Sequence, residues 1–233
     1  MAKHGFLYQG QYYTWQKLPR GTPSLHLPPH RFVCYLQNHD QIANSARGER
    51  MQQLTSPGRV RALTALLLLQ PQLPMLFQGQ ECGSAKPFLY FADHKPELAI
   101  AVANGRREFL QQFPSLIGRT IDPPHAWETF EACKLDWDAR DEAVIEMHRT
   151  LLRLRNDEPL IGGAVLSENA FLLRWADRLL IVNLGRDLHL EVFDEPLLAG
   201  NWQLLWSSES PFALERIPAD SAALWERGRP RPQ

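Results

Sequence analysis

The 233 residues carry 44% hydrophobic side chains and a formal net charge of −1, which suits one large domain or two modest ones and leaves no basic footprint for nucleic acid or an anionic membrane. Three cysteines, Cys34, Cys82 and Cys133, are odd in number, far apart and without C-x-x-C spacing, which argues against a disulfide framework or a zinc site and for a reducing compartment. No apolar signal core opens the chain, and the longest apolar stretch, Ala62 to Leu69, is too short to span a bilayer; a cytoplasmic protein without membrane segment, metal or cofactor is expected.

In chain order, residues 1–30 are rich in Gly, Pro and aromatics and read as a long loop. "RFVCYLQ", residues 31–37, is a short apolar run that reads as a buried strand. Ser56-Pro57 then places an N-cap before a proline at the first helical position, and "GRVRALTALLLLQ" continues as a strongly apolar helix stopped by Pro71. "LPMLFQG" is a second strand, followed by Gln80 and Glu81. "KPELAIAVANGRREFLQQF" and "DARDEAVIEMHRTLLRLRNDEP" are two further helices, the second ending before Pro159.

After Pro159 the period changes to two. "AFLLRWADRLLIVNLG" and "NWQLLWSSE" alternate apolar residues between turn-like breaks. Phe171, Leu173 and Trp175 would share one face, and Leu180, Val182 and Leu184 form a similar stripe. The expected division is therefore an α/β part over residues 1–158 and a small antiparallel β-sandwich over residues 159–233.

Strand–helix–strand–helix is the grammar of a parallel α/β fold, whose ligand sites lie at the carboxyl ends of the strands. Both strands run into polar clusters there: Asn38-His39-Asp40-Gln41 after the first and Gln80-Glu81 after the second.

These residues carry a resemblance. "FVCYLQNHDQIANSARGER" resembles the segment bearing the last catalytic carboxylate of the α-amylase superfamily of glycoside hydrolases. The longer strings "PMLFQGQECGSAKPFLYFADHKPELAIAVANGRREF" and "FEACKLDW" are similar to its malto-oligosyltrehalose trehalohydrolase branch. That resemblance implies the C-terminal part of a (β/α)8 TIM barrel, strands seven and eight with their helices, and then the β domain. It further implies a retaining hydrolase that cleaves the α-1,4 bond next to the trehalose end of maltooligosyl-trehalose, with maltodextrin as a related ligand. Asp40 matches the transition-state-stabilising carboxylate and His39 a sugar-binding partner; Asn38, Gln41 and Glu81 are candidate substrate contacts.

The resemblance also marks what is missing. The family's Gly-x-Arg-x-Asp nucleophile pattern does not occur, and Arg155-Asn156-Asp157 reads as a helix terminus. Retaining hydrolysis needs a nucleophile and an acid/base about 5 Å apart, so an N-terminal half of the barrel is an implied partner and the chain alone is expected to be inactive. Gln80 and Cys82 replace the Glu and Trp of the family's Glu-Glu-Trp. Other readings are a non-catalytic carbohydrate-binding or partner-completing half-barrel, and a truncated gene product with no function alone.

Overall fold

The computed structural model describes residues 2–45, 47–190, 195–210 and 213–228. Its contacts divide into two compact units. The first comprises Met1–Cys34, Pro57–Met75 and Arg149–Gln233; the second comprises Tyr35–Ser56 and Leu76–His148.

The first unit is built on a five-stranded antiparallel sheet. Its strands are β5 (Gly162–Ser167), β6 (Ala170–Arg174), β7 (Arg178–Asn183), β11 (Ser221–Arg227) and β9 (Trp202–Ser207), side by side in that order. Leu172 stands opposite Ile181, and Leu180 opposite Leu224. A two-stranded antiparallel ribbon, β8 (Leu188–His189) with β10 (Arg216–Ile217), adds Leu190 and Ile217 to the core formed by Leu172, Leu179, Ile181 and Trp225.

The stripes expected on one face prove to be half of the pattern. Leu179, Leu180, Ile181 and Val182 are all buried, as are Leu172, Leu173 and Trp175, so the central strands are covered on both faces. Helix α3 (Pro57–Leu69) explains this, because it packs against β11 and β7. Its apolar residues run all the way round, with Ala62, Ala65, Leu67, Leu68 and Leu69 inside, the mark of a buried helix rather than a surface one. Among the described residues the antiparallel β domain is a five-stranded sheet with the β8–β10 ribbon packed on it, and α3 adds a helical layer the sequence reading did not assign. Trp202 packs at the edge of this core, its indole N–H donating to Leu198 O at 2.8 Å with the Arg174 guanidinium 4.2 Å above its ring.

The two strands read from the α/β part are real but short. β3 (Val33–Cys34) and β4 (Leu73–Pro74) pair in parallel, Val33 opposite Leu73. A 3-10 turn over Pro29–Arg31 delays the start of β3, and each strand has a single neighbour among the described residues. Val33 and Leu73 are about half exposed, at 53% and 51%. Between α3 and β4 the chain is held by Arg155, whose guanidinium donates to the carbonyls of Leu68, Gln70, Pro71 and Gln72. Near the N-terminus a short antiparallel ribbon, β1 (Tyr12–Tyr13) with β2 (Leu18–Pro19), interrupts the expected loop. Arg20 lies over the rings of Tyr8 and Tyr13, so these two aromatics are engaged locally, while Tyr12 and Trp15 are exposed.

The second unit is helical and loop-rich. It holds α1 (His39–Ala43), α2 (Met51–Leu54), α4 (Pro96–Gln111), α5 (Trp127–Cys133) and the start of α6 (Glu142–Leu154). The turns α2 and α5 are additions to the sequence reading. Edge-to-face ring contacts join Phe77, Phe88, Phe91 and Phe130 at centroid distances of 5.0–5.8 Å, the arrangement preferred by aromatic quadrupoles. Cys133 lies inside, accepting from Leu89 N at 3.1 Å and donating to Thr129 O at 3.1 Å. All three cysteines are free.

Candidate active site

The polar cluster that follows β3 is a helix start. Asn38 is the N-cap of α1: its side-chain oxygen accepts from Asp40 N at 2.8 Å and Gln41 N at 3.4 Å. Gln41 reciprocates, its Oε1 accepting from Asn38 N at 3.0 Å, and the two together form a capping box. The sequence N-H-D-Q thus encodes its own turn, Asn and Gln closing it while the two residues between them are free to face outward.

They do face outward. His39 Nε2 lies 3.3 Å from Asp40 Oδ1, and the two side chains are 66% and 69% exposed. Ile42 and Ala43 on the opposite side of the turn are buried and anchor it. A ligand approaching α1 meets an acceptor and a donor side by side. Asn38 Oδ1 accepts two bonds in the cap and Gln41 Oε1 one, so Asn38 can still offer its amide N–H and Gln41 its N–H and one lone pair.

The segment from Gln37 to Gln53 then fastens the loop that carries Glu81. Gln37, which is buried, accepts from Met51 N at 2.9 Å. Gly48 O accepts from Phe88 N at 3.0 Å. Gly48 has φ +62°, and a Cβ there would stand 2.8 Å from the Phe88 carbonyl, so only glycine allows this approach. Arg50 is fully buried. Its Nε donates to Lys86 O and its Nη1 to Gln78 O at 2.7 Å, with the guanidinium 5.6 Å from the Phe77 ring centre. Gln52 adds a bond to Ser84 O.

Burial pushes the Arg50 guanidinium below its usual pKa. Glu81 sits in the turn over residues 78–83, partly buried. Gln80 and Cys82, the departures from Glu-Glu-Trp, are both buried; the Cys82 thiol contacts Gly79 O at 3.6 Å. Sequence reading named His39 and Asp40, took Asn38 and Gln41 for substrate contacts rather than a cap, and gave Arg50 no separate role. The Gly-Glu-Arg string was its only signal.

The comparisons with known proteins bear on this geometry. Residues 160–224 match a family model described as a domain of unknown function (DUF3459). The malto-oligosyltrehalose trehalohydrolase of Deinococcus radiodurans is 37% identical over 165 residues, 68% of this chain and 28% of the relative. That of Brevibacterium helvolum is 38% identical over 170 residues, with the same coverage of both chains. Among solved structures, a Salmonella typhimurium protein assigned as an alpha amylase superposes on 97% of this chain and 40% of its own, with a TM-score of 0.82 and 31% identity. The trehalose-6-phosphate hydrolase of Bacillus licheniformis aligns with a TM-score of 0.52 at 15% identity, covering 85% of this chain and 43% of its own, a likeness of fold alone. The chain spans less than a third of the length of the curated relatives it matches. Over the part they share, the chain is a homologue of the malto-oligosyltrehalose trehalohydrolases.

Proposed function

We propose that this chain is part of a retaining glycoside hydrolase that cleaves the α-1,4 bond beside the trehalose end of maltooligosyl-trehalose, releasing trehalose. In this reading residues 1–158 supply strands seven and eight of a (β/α)8 barrel and residues 159–233 its trailing β domain. The observation that carries it is the exposed His39–Asp40 pair, held on a capped turn four residues after a strand with a parallel neighbour.

The roles follow from charge. Cleavage with retention passes through an oxocarbenium-like transition state. An Asp40 carboxylate accepting hydrogen bonds from the sugar's hydroxyls strengthens its hold as positive charge develops on the ring. His39 donates to a neighbouring hydroxyl of the same sugar. The nucleophile and the acid/base come from polypeptide outside these 233 residues, so no glycosyl-enzyme intermediate forms on this chain alone.

Purified chain is expected to release no trehalose from maltotriosyl-trehalose. Joined to the preceding barrel segment of the Deinococcus radiodurans relative, it should do so. In that assembly Asp40→Asn should lower kcat by about 10²–10³ with little change in KM, the signature of an interaction made in the transition state. Near-normal turnover by the Asp40→Asn assembly would reduce Asp40 to a structural residue. Trehalose release by the chain alone, abolished by Asp40→Asn, would place the other carboxylates within it.

A further inference from the structure

We infer that Arg106 is a positioning residue for the candidate site, holding the C-terminal end of α1 and with it the His39–Asp40 pair. The inference rests on the reading of Asp40 as a functional carboxylate and extends it to a residue more than sixty positions away in sequence.

Helix α1 has five residues, far fewer than a helix needs to persist in water by its own hydrogen bonds. Its order must therefore come from contacts at its two ends. At the N-terminal end these are made by the Asn38–Gln41 capping box. At the C-terminal end Asn44 N–H answers Asp40 O, and the Ser45 N–H and hydroxyl answer Ile42 O, but Ala43 O and Asn44 Oδ1 take their donors from another segment.

Arg106 supplies them. It projects from α4, whose sixteen residues make it a firm support. Its Nη2 donates to Ala43 O, and its Nη1 donates to Asn44 Oδ1 at 3.1 Å. The guanidinium lies 4.4 Å from the ring centre of Tyr90, so its planar fork is held flat by a cation–π contact while its edge reaches the helix end. Leu89, Ile121 and Asp122 line the small cavity beside these groups. Partial burial pushes the Arg106 pKa down from its usual value, against the pull of Tyr90. The two ends of α1 are thus pinned by different chemistry, and the outward residues His39 and Asp40 lie between the pins.

The test uses the full chain in dilute solution and reads amide hydrogen exchange by mass spectrometry. The relevant amides are those of Ile42, Asn44 and Ser45, which donate to Asn38 O, Asp40 O and Ile42 O. Arg106→Met should speed exchange in this segment at least tenfold while leaving the β6–β7 segment unchanged, which shows that the fold persists. Arg106→Lys should restore part of the protection, because an ammonium can reach one of the two acceptors but not both. Tyr90→Leu should loosen the segment less than Arg106→Met and add little when combined with it. Unchanged exchange at α1 in Arg106→Met, with the sheet intact, would overturn the inference; so would an equal acceleration across the whole chain, which would make Arg106 a general stabiliser. Asp40→Asn serves as the control that separates the two ideas. It should alter α1 exchange by no more than about two- to fivefold, the effect of neutralising a first-turn acid, and failure of the Asp40 reading in the activity assay would not change the exchange result.

Discussion

Replacing Arg155 by Met should be the most damaging single change in the first unit that leaves its hydrophobic core intact. Arg155 Nη1 donates to Leu68 O at 2.8 Å and Gln70 O at 2.7 Å; Nη2 donates to Pro71 O at 3.3 Å and Gln72 O at 2.7 Å. These carbonyls close α3 and lead into β4, where Pro71 and Pro74 leave fewer backbone donors to answer them. A bond from a charged donor contributes about 1.5–3 kcal/mol, and a buried acceptor left bare costs about 1–3 kcal/mol. The four bonds share one partly exposed guanidinium, so water replaces some of the lost donors and the terms do not add in full. A net loss of about 2–4 kcal/mol follows. With a urea dependence of about 2–3 kcal/mol per molar, the midpoint followed by circular dichroism should fall by about 1 M. Arg155→Lys should recover less than half of this, because an ammonium cannot span four acceptors. A fall below about 0.3 M for Arg155→Met would refute the argument, since the carbonyls would then be finding other donors.

Three further outcomes are expected. Gly58→Ala should destabilise although alanine is the better helix former, because a Cβ there would stand 2.8 Å from the Asp220 carbonyl; a loss of about 1–3 kcal/mol is expected for such overpacking, and a raised thermal midpoint would contradict it. Asp187 has its pKa lowered, first by the Arg216 hydrogen bond and then by the Ala219 amide, so its contribution is present above the ordinary aspartate range and is lost as pH falls through the folded-state value. Asp187→Asn should therefore lower the thermal midpoint at neutral pH, and the gap from wild type should close in strong acid; a gap independent of pH would disprove the linkage. The open face of β3 and β4, with Val33 and Leu73 about half exposed, should make the isolated chain self-associate, and light scattering that shows only a monomer at high concentration would count against that.

How much of this was legible depends on where each signal was generated. Helices α3, α4 and α6 were readable because their signals are local: Pro57 and Pro96 at the first helical position, and apolar runs ended by Pro71 and Pro159. The strands of the sheet were readable as strands, but their double burial was not, because the second layer comes from α3, more than a hundred residues earlier in the chain. β7 did carry a hint. "LLIV" is a continuous apolar run rather than an alternation, the pattern of a strand covered on both faces. The short turns α2 and α5 left no periodic mark long enough to detect.

The site divides along the same line. Asn38, His39, Asp40 and Gln41 are contiguous, so a string match finds them together, and their capping geometry is written in their own spacing. Arg50 and Arg106 cannot be found that way, since what each does depends on carbonyls supplied by other segments: Gln78 and Lys86 for Arg50, Ala43 for Arg106. Main-chain carbonyls are identical at every residue, so the acceptor side of such a contact leaves no trace in composition or pattern. What a sequence can register is the donor alone, and an arginine in a helix such as α4 looks the same whether it faces solvent or holds a neighbour in place. The exposed pair proposed to meet a ligand is thus the readable part of the candidate site, and the arginines bonded to neighbouring carbonyls emerge only once the chain is folded.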